Sequence, residues 1–209
     1  HGTIENSEFG FVNTAAKPPY RVFLSNGALH LDNISNHLTE GSGFVMLTGA
    51  FMGTGNTVIS GTFRPQTTSQ DFDLRVKIER TQMRAMNELL RAYADFDVTA
   101  GLFSLFSELR VKDDRVEGYI KPLFKDMKVY DARQDSEKNA FRKLYEGLVG
   151  GVTKLLENRA REEVATRADL SGTLEDPEAS TWQTIVNLVQ NAFFKAILPG
   201  FEKEIQSPP

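Results

Sequence analysis

Residues 71–79 read Asp71-Phe72-Asp73-Leu74-Arg75-Val76-Lys77-Ile78-Glu79. Apolar and charged side chains alternate without a break, and on an extended backbone successive side chains point to opposite faces. Phe72, Leu74, Val76 and Ile78 therefore share one face, while Asp71, Asp73, Arg75, Lys77 and Glu79 share the other. Such a segment is a half-buried antiparallel strand, apolar toward a core and charged toward water.

The residues before it also read as strands and turns. Tyr20, Val22 and Leu24 alternate with Arg21, Phe23 and Ser25, and Asn26-Gly27 follows at once. Both residues of that dipeptide tolerate positive φ, so it predicts a tight hairpin turn into a strand carrying Leu29 and Leu31. Glycines then cluster at Gly41, Gly43, Gly49, Gly53, Gly55 and Gly61, with Phe44-Val45-Met46-Leu47 and Thr57-Val58-Ile59 between them. Glycines inside strand patterns imply bulges, bends or close backbone approach.

Beyond residue 79 the period changes. Met83, Met86, Leu89, Leu90 and Tyr93 follow helical spacing, with Thr81 as N-cap. A second β section follows. Phe103, Leu105, Leu109 and Val111 share a strand face interrupted by Ser107, and Asp113-Asp114 makes a polar turn. Val116, Gly118 and Ile120 return on the partner strand, Lys125 to Tyr130 extend it, and Pro122 implies an edge or a bend. Leu102 and Phe106 fall on the face opposite Phe103 and Leu105. A sheet with large apolar groups on both faces must be covered on both or leave one for a ligand.

Two further helices are expected. Ser136 to Asn158 carries an apolar stripe through Phe141, Leu144, Leu148, Val152 and Leu155, which outweighs the helix cost of Gly147, Gly150 and Gly151. Val164 to Leu174 returns to a strand. Ser180 and Gln183 then form a capping box for an apolar helix carrying Trp182, Phe193 and Phe194, which Pro199-Gly200 stops. The resulting fold class is α+β: a curved, groove-like antiparallel β-sheet packed with about three helices. Residues 1–205 form a single domain and 206–209 a disordered tail.

Composition narrows the chemistry. The chain has 209 residues and a net charge of -4, which argues against a nucleic-acid partner. It has no cysteine, which excludes disulfides, thiolate metal sites and cysteine catalysis. No apolar run is long enough for a clear transmembrane helix. His1-Gly2-Thr3 reads as the start of an excised fragment whose targeting signals lie outside it. There is no P-loop, dinucleotide fingerprint, G-x-S-x-G elbow or H-E-x-x-H motif.

The remaining polar signals are weak. His30, His37, Asp32 and Glu40 could hold a metal, but their spacing matches no zinc motif, and no metal or cofactor is expected. Asp95 and Asp97 could form a carboxylate pair, although a helix-to-strand junction is more simply a solvated turn. Asp131, Asp135 and Glu137 lack the glycine of a calcium loop. Lys121, Lys125 and Lys128 form a basic stretch that is either a wet strand face or a contact for an anionic lipid headgroup.

Four strings carry a family resemblance. They are Leu90-Arg91-Ala92-Tyr93-Ala94-Asp95-Phe96-Asp97-Val98-Thr99-Ala100-Gly101 and Val116-Glu117-Gly118-Tyr119-Ile120-Lys121-Pro122-Leu123-Phe124-Lys125-Asp126-Met127-Lys128-Val129-Tyr130. The others are Leu144-Tyr145-Glu146-Gly147-Leu148-Val149-Gly150-Gly151-Val152 and Asn191-Ala192-Phe193-Phe194-Lys195-Ala196-Ile197-Leu198-Pro199-Gly200-Phe201. From about Leu90 onward the chain resembles the AsmA-like family of Gram-negative envelope proteins, in a branch without an assigned activity. The first 80 residues fit only loosely. The resemblance implies a periplasmic module anchored to the inner membrane by a part of the parent protein outside this chain. Larger relatives look like long β-grooves that carry phospholipid and need no catalytic residue.

The leading expectation is a non-enzymatic module for lipid handling or outer-membrane maintenance. Its lipid-groove candidates are Leu102, Phe103, Leu105, Phe106, Ile120 and Phe124. Lys121, Lys125 and Lys128 would lie near a headgroup, and the helix bearing Trp182, Phe193 and Phe194 would act as lid or interface. The alternative is a scaffold for other envelope proteins, recruited by strand addition near Pro122. A hydrolase using Asp95 and Asp97 ranks last, because nucleophile, base and oxyanion donor cannot all be named.

Overall fold

The alternation at 71–79 forms the strand expected of it, but the strand runs further. In the computed structural model, which describes residues 1–33, 41–64, 71–94, 97–130, 163–165 and 167–173, it spans Asp71–Gln82 and is here β5. Before it come β1 (Gly2–Asn13), β2 (Tyr20–Asp32), β3 (Gly43–Phe51) and β4 (Gly55–Arg64). After it come a 3-10 turn (Met83–Met86), helix α1 (Asn87–Ala94), and the long strands β6 (Asp97–Lys112) and β7 (Arg115–Tyr130). Two short strands follow, β8 (Glu163–Ala165) and β9 (Ala168–Thr173).

All nine strands join one antiparallel sheet. The first seven lie side by side in chain order, and β8 and β9 share the far side of β7. The chain is thus built from neighbouring strand pairs, a pattern that turns and bulges can specify locally. The β3–β4 turn places Met52 and Gly53 at φ 50 and 75. The β6–β7 turn places Asp113 and Asp114 at φ 49 and 58, the primed geometry that matches strand twist. The buried Asp71 holds this turn by accepting the Asp113 backbone N–H at 3.0 Å.

This architecture corrects the expected fold class. The described residues form a broad open antiparallel sheet with one short helix, not a sheet packed with about three helices. The helical stripe from Met83 to Tyr93 shrinks because β5 continues to Gln82 and β6 begins at Asp97, leaving only a 3-10 turn and about two helical turns. The expected helices at 136–158 and 180–198, and the tail at 206–209, lie outside the described residues.

Two local expectations also change. Asn26-Gly27 does not turn the chain. Strand β2 passes through it, with Asn26 at φ 50 and a register shift against both β1 and β3. The positive φ that the dipeptide tolerates is spent on a bulge. Thr81 is not an N-cap either: it is buried within β5, and the cap position falls on Gln82, whose side chain makes no capping bond.

Two buried clusters anchor the sheet. Met83, Met86 and Leu90 pack down on Met52, Val98, Phe103 and Phe124. Leu109, Val111, Val116, Ile120 and Leu170 form the second cluster toward the β6–β9 edge. Both lie on the same face of the sheet, the one that carries Phe72, Leu74 and Ile78.

Candidate functional site

The strand register converts the alternation in each segment into rows that cross the sheet. Leu29 lies opposite Leu47, Leu47 opposite Ile59, and Ile59 opposite Val76. The row continues through Ser107 and Ile120 on β6 and β7. Ser107 is its only polar member, and its hydroxyl is spent locally, donating to the Tyr119 backbone oxygen at 2.8 Å. A neighbouring row runs Leu31, Val45, Gly61, Leu74, Leu109 and Gly118. From β2 to β7, no ionisable side chain other than a tyrosine stands in register on this face.

The face is not uniformly covered. At the helix end Phe103 and Phe124 are buried beneath the turn and α1, with ring centroids 5.4 Å apart. Away from α1, Leu29, Leu47, Ile59, Val76, Val45 and Leu74 are half-buried. The site is therefore a broad uncharged sheet floor, closed at one end and partly accessible across β2–β5.

The other face has the opposite character. Asp73 accepts from Arg110 Nε at 2.6 Å and from Arg64 Nη2 at 3.1 Å. The hydrogen bond from Arg110 holds its carboxyl below the usual carboxylate range, against the upward push of partial burial. Asp73 in turn raises the Arg110 guanidinium. Arg75 stands opposite Glu108, and Lys77 pairs with Glu79 at 2.9 Å. One face is thus patterned for water and the other against it.

The expected groove residues divide between these faces. Phe103, Leu105, Ile120 and Phe124 lie on the uncharged face, where Phe103, Ile120 and Phe124 are buried and Leu105 half-buried. Leu102 and Phe106 lie on the charged face, opposite Lys125 and Lys121. Lys128 precedes Val129, the partner of buried Val98, so it joins the other two lysines there. The headgroup candidates therefore stand on the far side of the sheet from the apolar floor. Trp182, Phe193 and Phe194 lie outside the described residues.

No family model, curated protein or solved structure matches this chain.

The weaker candidates resolve into ion pairs. Asp97 pairs with Arg91 Nε at 2.6 Å, and Asp95 lies outside the described residues. Asp32 bonds His30 Nε2 at 2.6 Å with one oxygen and His1 Nδ1 with the other. Among the described residues no group of three His, Asp or Glu side chains is placed to hold a metal. His37 and Glu40 lie outside them. The open edge expected near Pro122 is occupied as well. β9 pairs with β7 up to Ile120 and β8 from Leu123, so the proline falls opposite the break between them.

Sequence reasoning missed Leu29, Leu47, Ile59 and Val76 as site residues. Each sits in a segment that reads as a strand, so the local signal was present. What placed them in one row is the register between strands, which the alternation within a strand does not contain.

Proposed function

We propose that this chain is a non-enzymatic module that holds the acyl chains of phospholipid or another envelope lipid against the uncharged face of its sheet. One observation carries the reading: the row Leu29, Leu47, Ile59 and Val76 is half-buried on a face without an Asp, Glu, Lys, Arg or His in register from β2 to β7. An apolar face of this breadth is stabilised by excluding water, at about 25 cal/mol per Å² of apolar surface covered. A single-sided antiparallel sheet ordinarily packs that face on a core; acyl chains supply the same chemistry where the core is incomplete. In keeping with the AsmA-like resemblance, the module works in the periplasm, held at the inner membrane by parts of the parent protein outside this chain.

Native mass spectrometry of the protein purified without detergent from a Gram-negative host tests this. The expected result is extra mass matching phospholipid. Ile59→Asp, in the middle of the row, should remove it, while Val58→Asp, on the opposite face of the same strand, should not. Adducts unchanged in Ile59→Asp, or an apo mass that persists after lipid is added, overturns the reading.

A scaffolding role is the second reading, favoured by β1. This strand pairs only with β2 among the described residues and exposes Ile4, Phe11 and Val12. Such an edge can take another strand by backbone pairing. Stable hetero-complexes in cross-linking, without bound lipid, would favour it.

A further inference from the structure

We infer that the charged face of β5–β7, at its α1-proximal end, is a docking surface for an anionic lipid bilayer. The chain is acidic overall, with a net charge of -4. On this face the charges are nevertheless sorted along the strands. Toward the β6–β7 turn they cancel, with Arg110 bonded to Asp73 and Arg75 opposite Glu108. Toward α1 Lys77 is likewise paired with Glu79, but three further lysines are left over. Lys121, Lys125 and Lys128 take part in no ion pair among the described residues, and Lys125 and Lys128 are exposed. Asp126 and Glu163 are the acidic residues beside them, next to and opposite Lys125.

Apolar side chains are interleaved with these cations. Phe106 stands in register between Lys77 and Lys121, and Leu102 stands opposite Lys125. Both are half-buried, so each presents part of its surface on the strand position facing a lysine. That combination fits a bilayer surface better than a soluble polyanion. Lysine stems lie along the interface with their ammonium groups among lipid phosphates, and an aromatic ring reaches the acyl boundary between them. The lysines thus meet headgroups of a membrane lying under the sheet, rather than the headgroup of a lipid on the apolar floor. This inference stands on the charged face and does not require the apolar-face reading.

Vesicle co-sedimentation at low salt tests it, with phosphatidylcholine vesicles compared with vesicles that also contain phosphatidylglycerol. The protein should bind only the anionic vesicles and should be released as salt rises. Lys121→Gln, Lys125→Gln and Lys128→Gln together should weaken binding by about 100-fold, and each single Lys→Gln change by about fivefold. The triple Lys→Arg variant should bind as the parent does. Phe106→Ser should weaken binding further, whereas Ile59→Asp should leave it unchanged. Equal binding to neutral vesicles, an unaffected set of Lys→Gln variants, or retention on heparin without vesicle binding overturns the proposal.

Discussion

The Thr81 hydroxyl is buried and has no hydrogen-bond partner among the described residues. It points at Gly55, where an added Cβ would stand 2.0 Å from the oxygen, so glycine is what leaves room for it. A buried unsatisfied hydroxyl costs on the order of 1–3 kcal/mol. Thr81→Val keeps the volume and removes the polar group, and it should raise stability by about 1 kcal/mol in urea unfolding. Thr81→Ser should not. Asp73 makes an opposite case, a polar group well supplied with partners. A carboxylate whose folded pKa is depressed contributes stability that is complete above its unfolded value, about 3.9. That contribution is lost as pH falls through the lower folded value. Because the hydrogen bond from Arg110 is the leading cause of the depression, Arg110→Met should flatten the acid limb of thermal stability below about pH 4. A limb identical to the parent's would remove Arg110 as the cause.

At the scale of elements, α1 is too short to stand alone, since isolated helices under about 12 residues are marginal in water. Two contacts hold it. Leu90 joins the first buried cluster beside Met86 of the preceding 3-10 turn, and the Asn87 amide clamps β6. It accepts from the Val98 N–H at 2.9 Å and donates to the Val98 carbonyl at 3.1 Å. Asn87→Ala should cost about 2 kcal/mol, roughly two net hydrogen bonds, while Asn87→Asp should recover only the accepted half. Equal losses in both, measured by denaturant unfolding, would show that the clamp is not the source. Strands β5, β6 and β7 were legible because each carries its own period-two alternation, as Phe72 to Ile78 does, whereas the one strand expected at Val164 to Leu174 is split into β8 and β9, which pair with different parts of β7. The length of α1 was not, because Met83, Met86 and Leu90 satisfy helical spacing equally in a 3-10 turn and in a helix. Asn26-Gly27 was misread for a related reason. Tolerance of positive φ permits both a turn and a bulge, and pairing with β1 and β3 decides between them. The candidate site was half legible. Phe103, Ile120 and Phe124 follow from alternation, but their separation from Lys121 and Lys125 appears only when strands are set in register.

For the molecule as a whole, the consequence of two unlike faces is that lipid occupancy and membrane docking should be separable. A ligand that binds only the folded state at a hundred times its Kd adds about 2.7 kcal/mol to stability. For a chain of this length that corresponds to a rise in Tm of roughly 5–10 °C. Monodisperse short-chain phospholipid, kept below its micelle concentration, should therefore stabilise the delipidated protein. Ile59→Asp should abolish the rise, because a carboxylate in the row faces Leu47 and Val76 and cannot be desolvated beneath an acyl chain. Phe106→Glu, on the charged face, should keep the rise while losing vesicle binding. The opposite pattern, a rise that survives Ile59→Asp and disappears in Phe106→Glu, would place the acyl chains on the lysine face and leave the uncharged floor as an incomplete core for another protein to finish.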